Sequence, residues 1–135
     1  MNKKIEIPQG STQKAINERR KILKSKLTPL AGKVVYSPNL EAKIHITKGS
    51  VKEICQHAAK GKESTKEALN IREHIKNCKF YAYRKIKRDS KNQSKYIIMI
   101  EAHSTYNGGS AKLTIGVKVI NQKERLMQYC ITAIQ

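Results

Sequence analysis

Four histidines, ten carboxylates and three cysteines bound the chemistry open to this chain. No two carboxylates are placed as a glycosidase or a two-metal site requires, and Glu53, Glu63, Glu67 and Glu73 are accounted for by helix capping and solvation. Cys55, Cys78 and Cys130 form no C-x-x-C pair, have no histidine at zinc-ligand spacing and leave one over in any disulfide scheme. They read as free thiols of a reducing compartment. No P-loop, dinucleotide fingerprint or nucleophile elbow occurs. What stays open is general acid–base chemistry on a phosphodiester, with neither metal nor cofactor. Such a site needs an imidazole or another proton carrier, a cation for the charge on the phosphorane, and a hydroxyl to position the phosphate.

The chain offers these parts in two places. His57 stands upstream of the turn Lys60, Gly61, Lys62 and of Ser64 and Thr65, where the free N–H groups of a helix start attract phosphate. Lys112 and Lys118 share the polar side of a strand whose other side is apolar, and Thr132 falls on the opposite side of the last strand from Tyr129. Plainer roles exist for most of them. Ser64 is explained as a cap, Tyr129 suits a core equally well, and a lysine-rich face is a solvated face with a broad taste for anions. Of the other histidines, His45 fits the polar side of a strand, His74 between Arg72 and Lys76 reads as solvated, and His103 opens a loop from which it could reach a substrate, with nothing local to support that role.

Charge says which polymer such a site would meet. Twenty-eight basic residues against ten acidic ones leave +18 on a chain that is still 39% hydrophobic, so it is too apolar for simple disorder and too basic for a neutral partner. The partners that relieve this repulsion are polyanions, with nucleic acid ahead of an anionic membrane or an acidic protein. Twenty-two of the cations are lysines and six are arginines, a balance suited to phosphate neutralisation rather than to reading bases. The basic residues are distributed along the chain instead of forming one amphipathic helix, which disfavours a membrane surface. No apolar stretch follows the first lysines, and nothing approaches 18 consecutive apolar residues, so a soluble cytoplasmic protein is expected.

With 135 residues the chain has room for one core. Residues 1–10 read as an extended or mobile arm, and residues 11–135 as a single domain. Ser11 or Thr12 caps a first helix with Ala15, Ile16, Ile22, Leu23 and Leu27 on its apolar side and Arg19, Arg20 and three lysines on the charged side; Pro29 stops it. Residues 34–36 and 43–47 suit short extended pieces. Ser50 with Glu53, and Ser64 with Glu67, fit the reciprocal S-x-x-E capping box, predicting helices over 51–60 and 65–77. Strands are expected over 80–86, 95–102, 112–119 and 128–134, the last closing the sheet. The sum is an α+β fold, with N-terminal helices packed on a four-stranded antiparallel sheet.

The run from His57 through KESTKEAL (residues 62–69), the strand KLTIGVK (112–118) and the terminal QYCITAI (128–134) resemble the nuclease-like domains of phages and mobile elements. These form the barnase–EndoU–colicin–RelE (BECR) group, also described as a large polyvalent protein-associated domain. The resemblance covers about residues 40–135. It implies a BECR-like fold and metal-independent RNA cleavage through a 2′,3′-cyclic phosphate, in a toxin-like protein of a bacterial phage or mobile element. His57, the Ser64/Thr65 pair and Thr132 or Tyr129 are then the positions to test, with Lys112 as the cation. Lys60, Lys62, Arg84 and Lys118 join Ser64 and Thr65 in holding nucleic acid, and an acidic immunity or antitoxin protein is the partner such a toxin would have. The alternative is a catalytically silent nucleic-acid-binding module.

Either reading gives a first prediction. Affinity for single-stranded RNA falls steeply with salt, with a slope of about 0.7 in log K per log salt for each phosphate contacted. Filter binding between low and moderate salt checks it, and a flat response would count against nucleic acid as the partner.

Overall fold

The computed structural model describes residues 6–89, 92–119, 125, 126, 128 and 129. Its first helix, α1 (Gln13–Leu27), begins where Thr12 takes an extended backbone and its hydroxyl accepts the Ala15 N–H. It gives way to a tight 3-10 turn, Thr28–Leu30, at Pro29. The buried positions of α1 are Ala15, Arg19, Leu23 and Leu27, a strict i+4 row that keeps one face inward. Arg19 thus lies on the apolar stripe and not among the solvated charges expected for it.

Two short strands, β1 (Val34–Ser37) and β2 (Ala42–Ile46), pair antiparallel as a hairpin whose alternation buries Val35, Ile44 and Ile46. The next helix, α2 (Lys48–Ala58), starts three residues before the expected position. Thr47 is its cap, and Ser50 answers as the third helical residue, its hydroxyl accepting the Thr47 N–H at 3.1 Å while Thr47 accepts from Ser50 N at 3.0 Å. Helix α3 (Lys62–Leu69) is likewise early: it opens from Gly61 without a side-chain cap, and the segment expected as one helix breaks at Asn70 before α4 (Ile71–Asn77). Ser64 does not cap α3, because its hydroxyl and that of Thr65 turn back and donate to the carbonyls of Ala58 and Gly61.

Ala58 ends α2, where the last C=O groups have no partner within the helix, and Gly61 opens α3, its carbonyl also accepting the Thr65 N–H. Arg19 satisfies the two carbonyls between them. Its side chain, fully buried, donates from Nε to Ala59 O at 2.7 Å, from Nη2 to Lys60 O at 3.2 Å and from Nη1 to Pro8 O at 2.9 Å. A cation at the negative end of a helix dipole is also favourable. One arginine therefore fastens α1, the end of α2 and the chain at Pro8 to each other.

The C-terminal half forms a larger sheet. Long strands β3 (Lys79–Asp89), β4 (Asn92–Tyr106) and β5 (Gly109–Val119) pair as an antiparallel meander, and the two residues of β6 (Arg125–Leu126) extend it beyond β5. Of the strand expected over 128–134, residues 130–134 lie outside the described residues, and the described part does not pair with this sheet. Gln128–Tyr129, β7, runs parallel to β2 and joins the small sheet instead. The architecture is α+β with two sheets, not one. Helices α3 and α4 lie on the inner face of β4 and β5, and one apolar cluster links Leu23, Ile44, Ile54, Ile71, Ile75, Leu113 and Ile115 across both sheets. No helix among the described residues is long and apolar enough to cross a membrane.

Arg19→Met keeps the length and loses the donors, leaving three carbonyls short of partners. Urea unfolding is expected to show a loss of about 3 kcal/mol, while Lys21→Met, on the exposed side of α1, changes stability by less than about 0.5 kcal/mol. Equal losses would make Arg19 an ordinary surface cation.

Candidate active site

Regular alternation would place every second residue of β3 on the same face, but register shifts between Phe80 and Ala82 and between Tyr83 and Lys85 interrupt it. Phe80 pairs with Ala102, Tyr83 with Ile100 and Ile86 with Ile98, so residues three apart share one face, on which their own side chains stay exposed, and Tyr81 and Arg84 are each left without a cross-strand partner. A bulge of this kind re-aims a side chain. Both side chains reach the outer face of β4, where Arg84 meets Glu101 and Tyr81 meets His103.

Glu101 and His103 stand two residues apart on β4, and Lys112 lies opposite His103 on β5. Arg84 donates from Nε to Glu101 Oε1 at 2.7 Å and from Nη2 to the same oxygen. Lys112 Nζ lies 3.5 Å from Oε1, and His103 Nε2 bonds Oε2. The Tyr81 ring stacks on the His103 imidazole, centroids 3.9 Å apart and planes within 17°. The carboxylate sits beneath its cations: the Glu101 side chain is 3% exposed, against 49% for Arg84, 46% for His103 and 40% for Lys112. Burial alone would raise the Glu101 pKa, but the hydrogen bonds from Arg84 and His103 and the charges of Arg84 and Lys112 outweigh it. The carboxyl is held below its ordinary value, and the group is ionised at neutral pH. A groove of about 600 Å³ opens beside it, with Tyr81, His103, Lys112, Lys79 and Asn77 in its walls.

Behind the same strand is a second pair. His74, fully buried, bonds Glu67 Oε1 through Nε2 at 3.0 Å and Ser104 Oγ through Nδ1 at 2.8 Å. His74 is not the solvated residue expected from its neighbours, and Glu67 does not serve the capping box expected with Ser64. Glu67 has room because Gly109 lacks a side chain: a Cβ there would fall 2.2 Å from both carboxylate oxygens. Ser104 ties this buried pair to the strand that presents His103.

The structure brings together two of the residues singled out from sequence, Arg84 and Lys112. His57 is on α2, exposed, and pairs with Glu53 one turn back at 3.2 Å. Lys60 lies in the turn after α2 and Lys62 opens α3, on either side of Gly61, and the Ser64 and Thr65 hydroxyls are spent on the carbonyls of Ala58 and Gly61. The side chains of Lys118 and Tyr129, and Thr132 as a whole, lie outside the described residues. Cys55 and Cys78 are free, buried thiols; Cys130 lies outside the described residues. Glu101, His103 and Tyr81 carry the site without having been candidates from sequence, and His103 lies within β4 rather than opening a loop. Glu101-x-His103 at strand spacing was the available signal, since residues i and i+2 share a face.

No family model, curated protein or solved structure matches the chain. The site must speak through its own geometry. Among the described residues no group of three or more His, Cys, Asp and Glu side chains is placed to hold a metal ion.

Because the folded pKa of Glu101 is depressed, its ionised form contributes stability above the ordinary carboxylate value, and that contribution is lost as pH falls through the folded value. The stability advantage of the wild type over Glu101→Gln is therefore expected to shrink as pH is lowered through the acid range. Denaturant midpoints at a series of pH values check it, and an advantage that grows toward acid would reverse the sign of the interaction.

Proposed function

We propose that the outer face of β3, β4 and β5 cleaves RNA without a metal ion. The Glu101 carboxylate takes the proton of a ribose 2′-hydroxyl, the 2′-oxygen attacks the adjacent phosphorus, and His103 gives a proton to the departing 5′-oxygen. The products are a 2′,3′-cyclic phosphate and a free 5′-hydroxyl. Arg84 and Lys112 hold the charge that develops on the phosphorane. The observation that carries this reading is the convergence of Arg84, His103 and Lys112 on one carboxylate beside an open groove. A phosphate entering the groove competes for the same cations, and a carboxylate relieved of them becomes a stronger base.

Other features support the same reading. Tyr81 is exposed on the site face and offers a ring on which a base can stack. The charge of +18 supplies affinity that does not depend on sequence. The resemblance to the BECR group points the same way, with β3–β4–β5–β6 as its four-stranded sheet, and it would make the chain a toxin-like ribonuclease of a phage or mobile element, acting in the bacterial cytoplasm. A binding module without turnover is the second reading, favoured by the full engagement of the Glu101 oxygens in the free protein.

Incubating labelled RNA with the protein in EDTA separates the two. Turnover gives fragments ending in 2′,3′-cyclic phosphate, and a 2′-deoxy residue at the cut site blocks it. Glu101→Gln and His103→Gln are each expected to lower the rate by about 10²- to 10⁴-fold with little change in RNA affinity, and His57→Ala to leave it unchanged. Intact RNA would favour the binding module, and a collapse of the rate in His57→Ala would move the chemistry to the end of α2.

A further inference from the structure

A second concavity lies away from the sheet face, between α1 and α2. It measures about 740 Å³, within the range of built binding sites. Its floor is apolar, made by Ala31, Val51 and Cys55. Burial pushes the Cys55 thiol up against the opposing influence of Arg20 and Lys24, so the floor carries no thiolate at neutral pH. The rims are basic: Arg20 and Lys24 stand on α1, and Lys48 and Lys52 on α2. Each pair is spaced i, i+4, about 6 Å along its helix, so each wall carries two cations one turn apart. Arg20 Nε is buried there with no hydrogen-bond partner among the described residues.

This chemistry narrows the occupant. A nucleic-acid strand would match the cations, but the floor presents no aromatic ring for a base to stack on. A helix with an apolar stripe and acidic flanks satisfies both parts at once, its stripe on the floor and its carboxylates against the two rows. We infer that the groove between α1 and α2 docks an acidic amphipathic helix of a partner protein. The inference uses no residue of the Glu101 face and stands or falls apart from RNA cleavage. Pairing across the groove also relieves part of the self-repulsion of a chain at +18.

The test uses the full chain and a labelled synthetic helix of about 18 residues, with leucines at i, i+3, i+4 and i+7 and glutamates on both flanks. Saturable binding is expected by fluorescence anisotropy. It should weaken at least tenfold in the double variant Lys24→Glu, Lys52→Glu, and stay unchanged in Lys66→Glu, a reversal on the exposed side of α3. Glu101→Gln should bind the peptide like the wild type. Replacing the peptide leucines by serine, or its glutamates by lysine, should abolish binding. Equal binding of the serine peptide would reduce the groove to a general polyanion surface and overturn the inference. So would an equal loss in Lys66→Glu. Phosphatidylserine vesicles that bind in a Lys24- and Lys52-dependent way while the peptide does not would assign the groove to a membrane instead.

Discussion

The carboxylate of Glu101 is buried under the cations that it holds, and the outer sheet face is organised around that fact. A lone carboxylate taken out of water would shed its charge by binding a proton. Here Arg84, His103 and Lys112 supply donors and opposite charge, and the anion persists. The cations keep much of their own exposure and so lose little hydration. The result is an asymmetric cluster with a fixed anion inside and replaceable cations outside. In a chain with 28 basic and 10 acidic residues, a buried acid is a scarce resource, and its position decides where basic side chains converge instead of repelling one another.

The polar interior of the helical half follows the same logic with neutral acceptors. The carbonyls at the end of α2 are covered by Arg19, Ser64 and Thr65, which come from two different helices. Had the helix ended in solvent, water would have satisfied them and nothing would have fixed the angle between α1, α2 and α3. Buried acceptors make that angle specific, because a misplaced helix would leave them unpaired at a cost of about 1–3 kcal/mol each. Apolar contacts hold the helices together, and these hydrogen bonds define their register.

Much of this plan could be read from residue types. The first helix with its Thr12 cap and Pro29 stop, the hairpin pieces and the long strands all follow from local chemistry. The helix starts at Ser50 and Ser64 could not be placed that way, because S-x-x-E is satisfied on paper whichever partner the serine takes: Ser50 answers the Thr47 cap as the third helical residue, and Ser64 turns back to the Ala58 carbonyl. Arg19 and His74 were misplaced for one common reason. Polarity predicts exposure only when no buried partner exists, and their partners, Ala59 O and Glu67, lie 40 and 7 residues away in sequence. The site face was hidden by the bulges. Tyr81 and Arg84 fall out of the alternation that a strand reading assumes, and no local pattern announces the two extra residues. Lys112 and Arg84 were legible as basic residues on strands, but their shared carboxylate was not.

A Glu–His pair lies against each face of β4, one on the strand itself and one supplied by α3 and α4, and the two differ in their access to solvent. Glu67 and His74 are enclosed, with the remaining imidazole nitrogen bonded to Ser104 and the carboxylate pressed against Gly109, so neither group has access to a ligand. His103 lines the groove, and Glu101, buried beside it, meets the partly exposed side chains of Arg84 and Lys112. The closed pair bears on the open one through the peptide between Ser104 and His103: fixing the Ser104 hydroxyl fixes the strand from which His103 projects. A proton-transfer site needs its groups held within about half an ångström, and strands backed by satisfied hydrogen bonds provide this better than loops do. The rigid half of the arrangement therefore belongs to the inner face. The long side chains of Arg84 and Lys112, which keep part of their exposure, are confined to the outer one.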